Sequence, residues 1–317
     1  MTASVRTVVI GATGHIGTWL VPRLVKDGHE VVAVSRGARR PYQDFPEWQS
    51  VEHVTLDRTA LERDASFGAA IAGLRADAVI DLICFDLASA THLVDALRDE
   101  TEIFVHCGTL WVHGVPLERP YDESAPRHPF GEYGIRKAQI ERFLLDVAAE
   151  GFPACVLHPG HLTGPGWVPI NPAGNLDTSV FDCLARGDRL TLPDDGLATL
   201  QHVHADDVAQ AFARAISNRK AAIGEAFHIA AAEPITMRDY AEAAASWFGR
   251  EANVEFLPWD EWRTTVSERD AEITRDHVLH SPYASIGKAR TILGFEPQYS
   301  AIAAARAAVS IMYSTLH

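Results

Sequence analysis

Residues 7–17 read TVVIGATGHIG, an apolar and β-branched run that meets glycines at 11, 14 and 17 and leads into a second apolar stretch. The pattern predicts strand, tight turn and helix. A helix N-terminus offers free backbone N–H groups and the positive end of the helix dipole, which suits a phosphate pair. Each glycine removes a Cβ: one lets the chain turn, one lets the backbone approach a ligand, and one lets helix and strand pack closely. The spacing is GxxGxxG rather than GxGxxG, and no acidic residue in the strand would repel phosphate. Gly11, Thr13, Gly14, His15, Ile16 and Gly17 are therefore candidate contacts for a dinucleotide pyrophosphate.

Downstream the pattern keeps alternating. Helices are predicted at 16–26, 61–74 and 88–97, and strands at 30–34, 51–56, 78–83 and 103–107. Strands alternating with helices imply a parallel sheet covered on both faces, with right-handed crossovers. Farther on, 179–186, 205–217, 237–247 (capped by Thr236) and 301–308 read as helices, and 226–229 as a strand.

The chain has 317 residues, 47% hydrophobic, enough for one large domain or two intimate ones. No stretch is long and apolar enough to span a bilayer, and residue 7 enters a strand too soon for a signal peptide; a cytoplasmic location is expected. Cys84, Cys107, Cys155 and Cys183 are far apart in apolar contexts and read as buried reduced thiols, with no zinc-ligand pattern. A net charge of −14 disfavours nucleic acid as a partner.

Against that acidity, residues 36–40 (RGARR) follow the predicted second strand. At this place an acidic residue serves the ribose 2′-hydroxyl of NAD, whereas arginine accommodates the 2′-phosphate of NADP. Ser35, Arg36, Arg39 and Arg40 thus favour NADP over NAD.

The stretch VHCGTLWVHG (105–114) closes the fifth strand, and EYGIRK (132–137) follows after a loop. Tyr133 and Lys137 share one helix face at i and i+4. A neighbouring cation is expected to lower the phenol pKa from about 10, tuning it for proton transfer to or from a hydroxyl or carbonyl.

Together these stretches resemble the extended short-chain dehydrogenase/reductases, of the NAD-dependent epimerase/dehydratase group. GATGHIG resembles the glycine motif, Tyr133 and Lys137 match YxxxK, and Thr109 falls at the Ser/Thr position of the SSxxVYG segment. HLTGPG (161–166), HVHADDVA (202–209) and SIGKARTILGFEP (285–297) resemble further landmarks in the same order. The resemblance implies a Rossmann-type doubly wound sheet at 1–165 and a smaller C-terminal substrate lobe at 166–317, interleaved with the core near 200–230. It implies Tyr133 as acid/base, Lys137 as tuning the phenol and holding the nicotinamide ribose, and Thr109 as orienting the substrate oxygen. Asp57 and Arg58 would approach the adenine, and His158 stands with the cofactor contacts. A homodimer through helices flanking YxxxK is implied as well.

Two departures bear on the substrate. Members acting on nucleotide sugars usually carry Arg and Asn where this chain has His158 and His161, and an Arg where it has Leu200. Losing a bidentate phosphate fork argues against a nucleotide sugar and for a small polar or sugar-like substrate, with His161 as a hydrogen-bonding group. His158, His161, His202 and His204 lack a carboxylate partner set by spacing, so no metal is expected. Trp247, Trp259 and Trp262 read as lobe core before pocket wall. The readings are an NAD(P)-dependent oxidoreductase, an epimerase or dehydratase recycling bound NAD, and a non-catalytic cofactor sensor or RNA-binding relative, which the complete Thr, Tyr, Lys set opposes.

Overall fold

A computed structural model describes residues 4–313. Strands β1 (Arg6–Ile10), β2 (Glu30–Ser35), β3 (Glu52–Thr55), β4 (Ala78–Asp81), β5 (Ile103–Cys107) and β6 (Ala154–Pro159) join the strand Ala226–Ile229 in one seven-stranded sheet. The spatial order is Ala226–Ile229, β6, β5, β4, β1, β2, β3, and every pairing is parallel. Order reverses between β1 and β4, which opens a crevice beyond their carboxyl ends.

The period of two in the strands divides the core. Val9, Ala33, Ile80 and Val105 face α1 (His15–Lys26) and the helix Ala205–Ser217; Val8, Val34, Val79 and Phe104 face the other helices. That second layer holds α2 (Arg58–Glu62), α3 (Phe67–Ala72), α4 (Leu87–Leu97) and α5 (Gly131–Ala149). The single helix expected at 61–74 is two short ones. Asp64 accepts the Ser66 N–H, and Ala65 between them takes φ +58°, so a local side-chain bond wins over the helix.

A separate core, with Phe181, Leu192, Leu200, Tyr240, Trp247 and Trp262, lies in the C-terminal half. Ile286, Ala289 and Leu293 pack instead with the sheet layer, so the chain returns to the sheet twice, near 205–230 and near 286–295. Thr236 Oγ1 accepts the Asp239 N–H at 3.0 Å and caps Met237–Trp247. Cys84, Cys107 and Cys155 are buried free thiols; Cys183, expected buried, is only half-buried on the short helix Ser179–Arg186. Among the described residues no helix is long and apolar enough to cross a membrane.

Candidate active site

A cleft of about 640 Å³ runs along the carboxyl edge of the sheet, from the end of β2 to the C-terminal half. Its floor is the turn between β1 and α1. Gly11 has φ +86°, and a Cβ there would lie 2.7 Å from Ile83 Cγ2. At Gly17 a Cβ would sit 2.1 Å from Ala12 O, a backbone clash that no rotamer relieves. Glycine at these two places lets the turn pack against Ile83 and Ala12, and the N-terminus of α1 that it leaves at the cleft floor fits the diphosphate of a dinucleotide.

Gly11, Thr13, Gly14, His15, Ile16, Gly17, Ser35, Arg36, Arg39, Thr109, Tyr133 and His161 all line this cleft, drawn from 150 positions of sequence into one cavity. Arg40 does not, nor do Asp57, Arg58, Lys137 and His158, and each of these last four has a local reason. Asp57 caps α2, its carboxylate accepting the Ala60 N–H at 3.1 Å. Arg58 is buried, with Nη1 2.9 Å from both Asp81 oxygens and Nε 2.7 Å from Glu62, so two of its three nitrogens are held by carboxylates while Nη2 has no partner.

Lys137 is buried beneath the cleft, and Nζ donates to the carbonyls of Cys84 and Cys107 at 2.7 Å each. Burial lowers its pKa. The expected lowering of the phenol is not what this geometry produces. Burial of the Tyr133 hydroxyl, then Cys107, push it up to about 12, against a hydrogen bond with Thr109 that pulls it down. The ring itself is 44% exposed into the cleft mouth and meets Trp111 edge to face.

His158 lies behind the site, buried between Thr109 and Glu141. The Thr109 N–H donates to His158 Nδ1 at 3.0 Å, so Nε2 carries the proton and donates to Glu141 Oε1, also at 3.0 Å. Arg127 grips Glu141 with Nη2 at 2.7 Å and Nε at 3.2 Å. Burial alone would raise the Glu141 carboxyl, but His158 and Arg127 hold it well below the usual carboxylate range. Glu141 lies four residues past Lys137 on the same face of α5, so Tyr133, Lys137 and Glu141 form one stripe, a signal present in the sequence. Replacing His158 by Leu leaves the buried Thr109 N–H unpaired and strips Glu141 Oε1 of one of its two hydrogen bonds, the other coming from Arg127 Nη2. The expected loss is about 2–4 kcal/mol in urea unfolding. A loss below about 1 kcal/mol would show that this chain contributes little.

The other wall contains groups the sequence did not single out. Trp167 stacks on His15 at 4.9 Å with planes 7° apart, and Tyr42 meets both rings edge on. Arg39 Nη1 donates to Tyr42 Oη at 2.7 Å, tying the basic loop to this aromatic group. His204 Nδ1 accepts the Asp206 N–H, and Asp207 accepts the N–H groups of Gln298 and Tyr299; both are structural. Trp247, Trp259 and Trp262 do not line the cleft. Leu200 is buried in the second core and offers nothing to a diphosphate.

Such a cleft at the switch point of a 3-2-1-4-5-6 parallel sheet defines a Rossmann-type dinucleotide-binding enzyme. Within that class the chain belongs to the NAD dependent epimerase/dehydratase family, whose sequence profile matches residues 7–230. It is 31% identical over 271 residues to the 2'-dehydrokanamycin reductase of Streptomyces kanamyceticus, covering 85% of this chain and 73% of that protein. It is 26% identical to the UDP-glucose 4-epimerase of Mycolicibacterium smegmatis, over 92% of this chain and 94% of that one. The fold matches the UDP-glucuronic acid 4-epimerase of Bacillus cereus in complex with NAD, with a TM-score of 0.72 and 21% identity over 97% and 98% of the two chains. The protein is therefore an enzyme of the extended short-chain dehydrogenase type.

Proposed function

We propose that this enzyme is an NAD(P)-dependent oxidoreductase that moves hydride between a nicotinamide and the carbonyl or carbinol carbon of a small, polar or sugar-like substrate. The observation that carries the reading is the convergence of Thr109 and Tyr133 on a cleft whose other end is a glycine-built helix N-terminus. The dinucleotide, when bound, supplies or takes the hydride. Gly14 to Gly17 would hold its diphosphate, and Ser35, Arg36 and Arg39 its ribose end.

The chain's own task is the proton. A phenol raised to about 12 is protonated at neutral pH, which suits donation to a carbonyl oxygen as that oxygen becomes a hydroxyl. In the opposite direction Tyr133 must first lose its proton, so oxidation gains rate as pH rises while reduction does not. The Thr109 hydroxyl orients the same oxygen. Lys137, by bracing the carbonyls of Cys84, beyond β4, and Cys107, at the end of β5, holds the floor on which this geometry rests. The name of the reductase relative supports the reductive direction.

The cofactor we propose is NADP. Arg36 and Arg39 line the cleft beside Ser35, and no acidic residue at the end of β2 stands ready for a ribose diol. Replacing Arg36 by Asp is expected to weaken NADPH binding about tenfold or more and NADH by much less. Fluorescence titration reads both, and an equal effect on the two would remove the 2′-phosphate assignment. The second reading, an epimerase or dehydratase that retains and recycles NAD, draws support from the UDP-glucose 4-epimerase relative. Pairing of two copies through the helices flanking Tyr133 belongs to the same proposal, and sedimentation tests it.

A further inference from the structure

Four imidazoles gather at the end of the cleft away from β2. His161 lies on the strand His161–Thr163, His202 on His202–His204, and His277 and His280 on the helix Glu268–His280. The His161 ring centroid is 5.0 Å from that of His277 and 5.9 Å from that of His202. Three of the four have their tautomers set by carbonyls, which only accept. His277 Nδ1 donates to Gly174 O at 2.8 Å, His202 Nε2 to Ile170 O at 3.1 Å, and His280 Nδ1 to Asp276 O at 2.7 Å. Their other nitrogens, including the unpartnered His202 Nδ1 and His280 Nε2, are lone pairs.

His161 differs. It is 8% exposed and lines the cleft, yet neither ring nitrogen has a partner. A neutral imidazole carries one donor and one acceptor, and leaving both unmade in a buried place is costly. Burial, with His277 and His202 beside it, keeps this ring uncharged. Among the described residues no group of three or more His, Cys, Asp or Glu can hold a metal ion, so the missing partner is not a cation of that kind.

Charge narrows the partner further. The charged side chains among the described residues lining the cleft are Arg36 and Arg39, both at the β2 end. The histidine end is walled by Trp111, Leu162, Ile170 and Leu176. A phosphate there would find no guanidinium and an ammonium no carboxylate, and each would bear its desolvation unpaired. A hydroxyl carries no charge to desolvate and keeps its hydrogen bonds by pairing with His161, and the C–H faces of a hydroxylated ring suit the apolar walls.

We infer that this half of the cleft binds an uncharged, hydroxyl-bearing ring, one of whose hydroxyls exchanges hydrogen bonds with His161. The inference rests on the proposed reading, in which the dinucleotide fills the β2 half.

Saturation-transfer NMR on the full chain with NADP⁺ present tests it, using methyl α-glucoside, myo-inositol, glucosamine and UDP-glucose at equal concentration near pH 7. The two uncharged rings are expected to receive saturation, with glucosamine and UDP-glucose weaker by about fivefold or more. His161→Leu should weaken the uncharged rings by about fivefold or more, and His161→Asn, which keeps a donor and an acceptor, should restore part of that loss. Glucosamine or UDP-glucose binding as well as the uncharged rings, no ring binding at all, or an unchanged response in His161→Leu would each overturn the inference. NADP⁺ resonances in the same spectra verify that each variant is folded. A wild type that fails to bind the nucleotide would sink the oxidoreductase reading, whereas nucleotide binding with the wrong ring preference sinks this inference alone.

Discussion

Replacing Tyr133 by Phe is expected to lower kcat by about 10²–10⁴ while leaving the fold and nucleotide affinity close to wild type, because general acid–base groups contribute on that scale. The substitution removes one hydroxyl, and that hydroxyl is the group we assign to the substrate oxygen beside Thr109. Its burial already pushes the phenol to about 12, so the wild type holds its proton through the neutral range. The reductive rate should therefore show no loss from Tyr133 ionisation between pH 6 and 9, and the oxidative rate should climb across the same span. Steady-state kinetics in both directions, with melting temperature and nucleotide titration as controls, checks the assignment. A Phe variant turning over at the wild-type rate would remove Tyr133 from the chemistry.

Stability is expected to collapse on mild acidification. Burial first, then neighbouring positive groups, lower His15 and His113 to about 3, and burial lowers His202, His204, His277 and His280 to about 4. His113 Nε2 and His228 Nε2 lie 2.8 Å apart, a contact that two imidazolium rings could not share. In the unfolded chain these rings take up protons near pH 6.5. The folded protein refuses them until about 4, so the unfolded state binds more protons between those values and stability falls as pH drops. Asp207, raised to about 6 by burial, acts in the other direction, as do Glu123 and Asp276, which burial also raises, but the lowered histidines outnumber them. Each ring kept neutral in the fold while the unfolded chain is protonated costs at most about 1.4 kcal/mol per pH unit, so these rings together make stability fall steeply below about pH 6. Urea midpoints should be level above pH 7 and fall steeply below about 6, with unfolding complete before about pH 4.5. A midpoint unchanged from pH 7 to 4.5 would show that these histidines are not held neutral.

What could be read in the sequence was the chemistry carried by near neighbours. The glycine turn, the cap at Thr236 and the shared face of Tyr133 and Lys137 depend on spacings of one to four residues, and the alternation of strands and helices fixes the parallel sheet. What depends on long-range register was not legible. The Thr109 to His158 contact exists because β5 and β6 pair with Cys107 opposite Leu157, a relation between residues fifty positions apart. Arg58 stood next to a plausible adenine contact, but its partner Asp81 ends a different strand. The phenol's pKa failed as an expectation for the same reason: i+4 spacing brings Lys137 to the right face, and the carbonyls of Cys84 and Cys107 then claim its ammonium.

The most direct measurement of the central claim is to denature the purified protein, identify any nucleotide released, and titrate the nucleotide-free protein with NADPH and NADH. Little retained nucleotide and tighter binding of NADPH than of NADH are expected. Stoichiometric release of NAD would contradict the claim and identify an enzyme that recycles a captive cofactor.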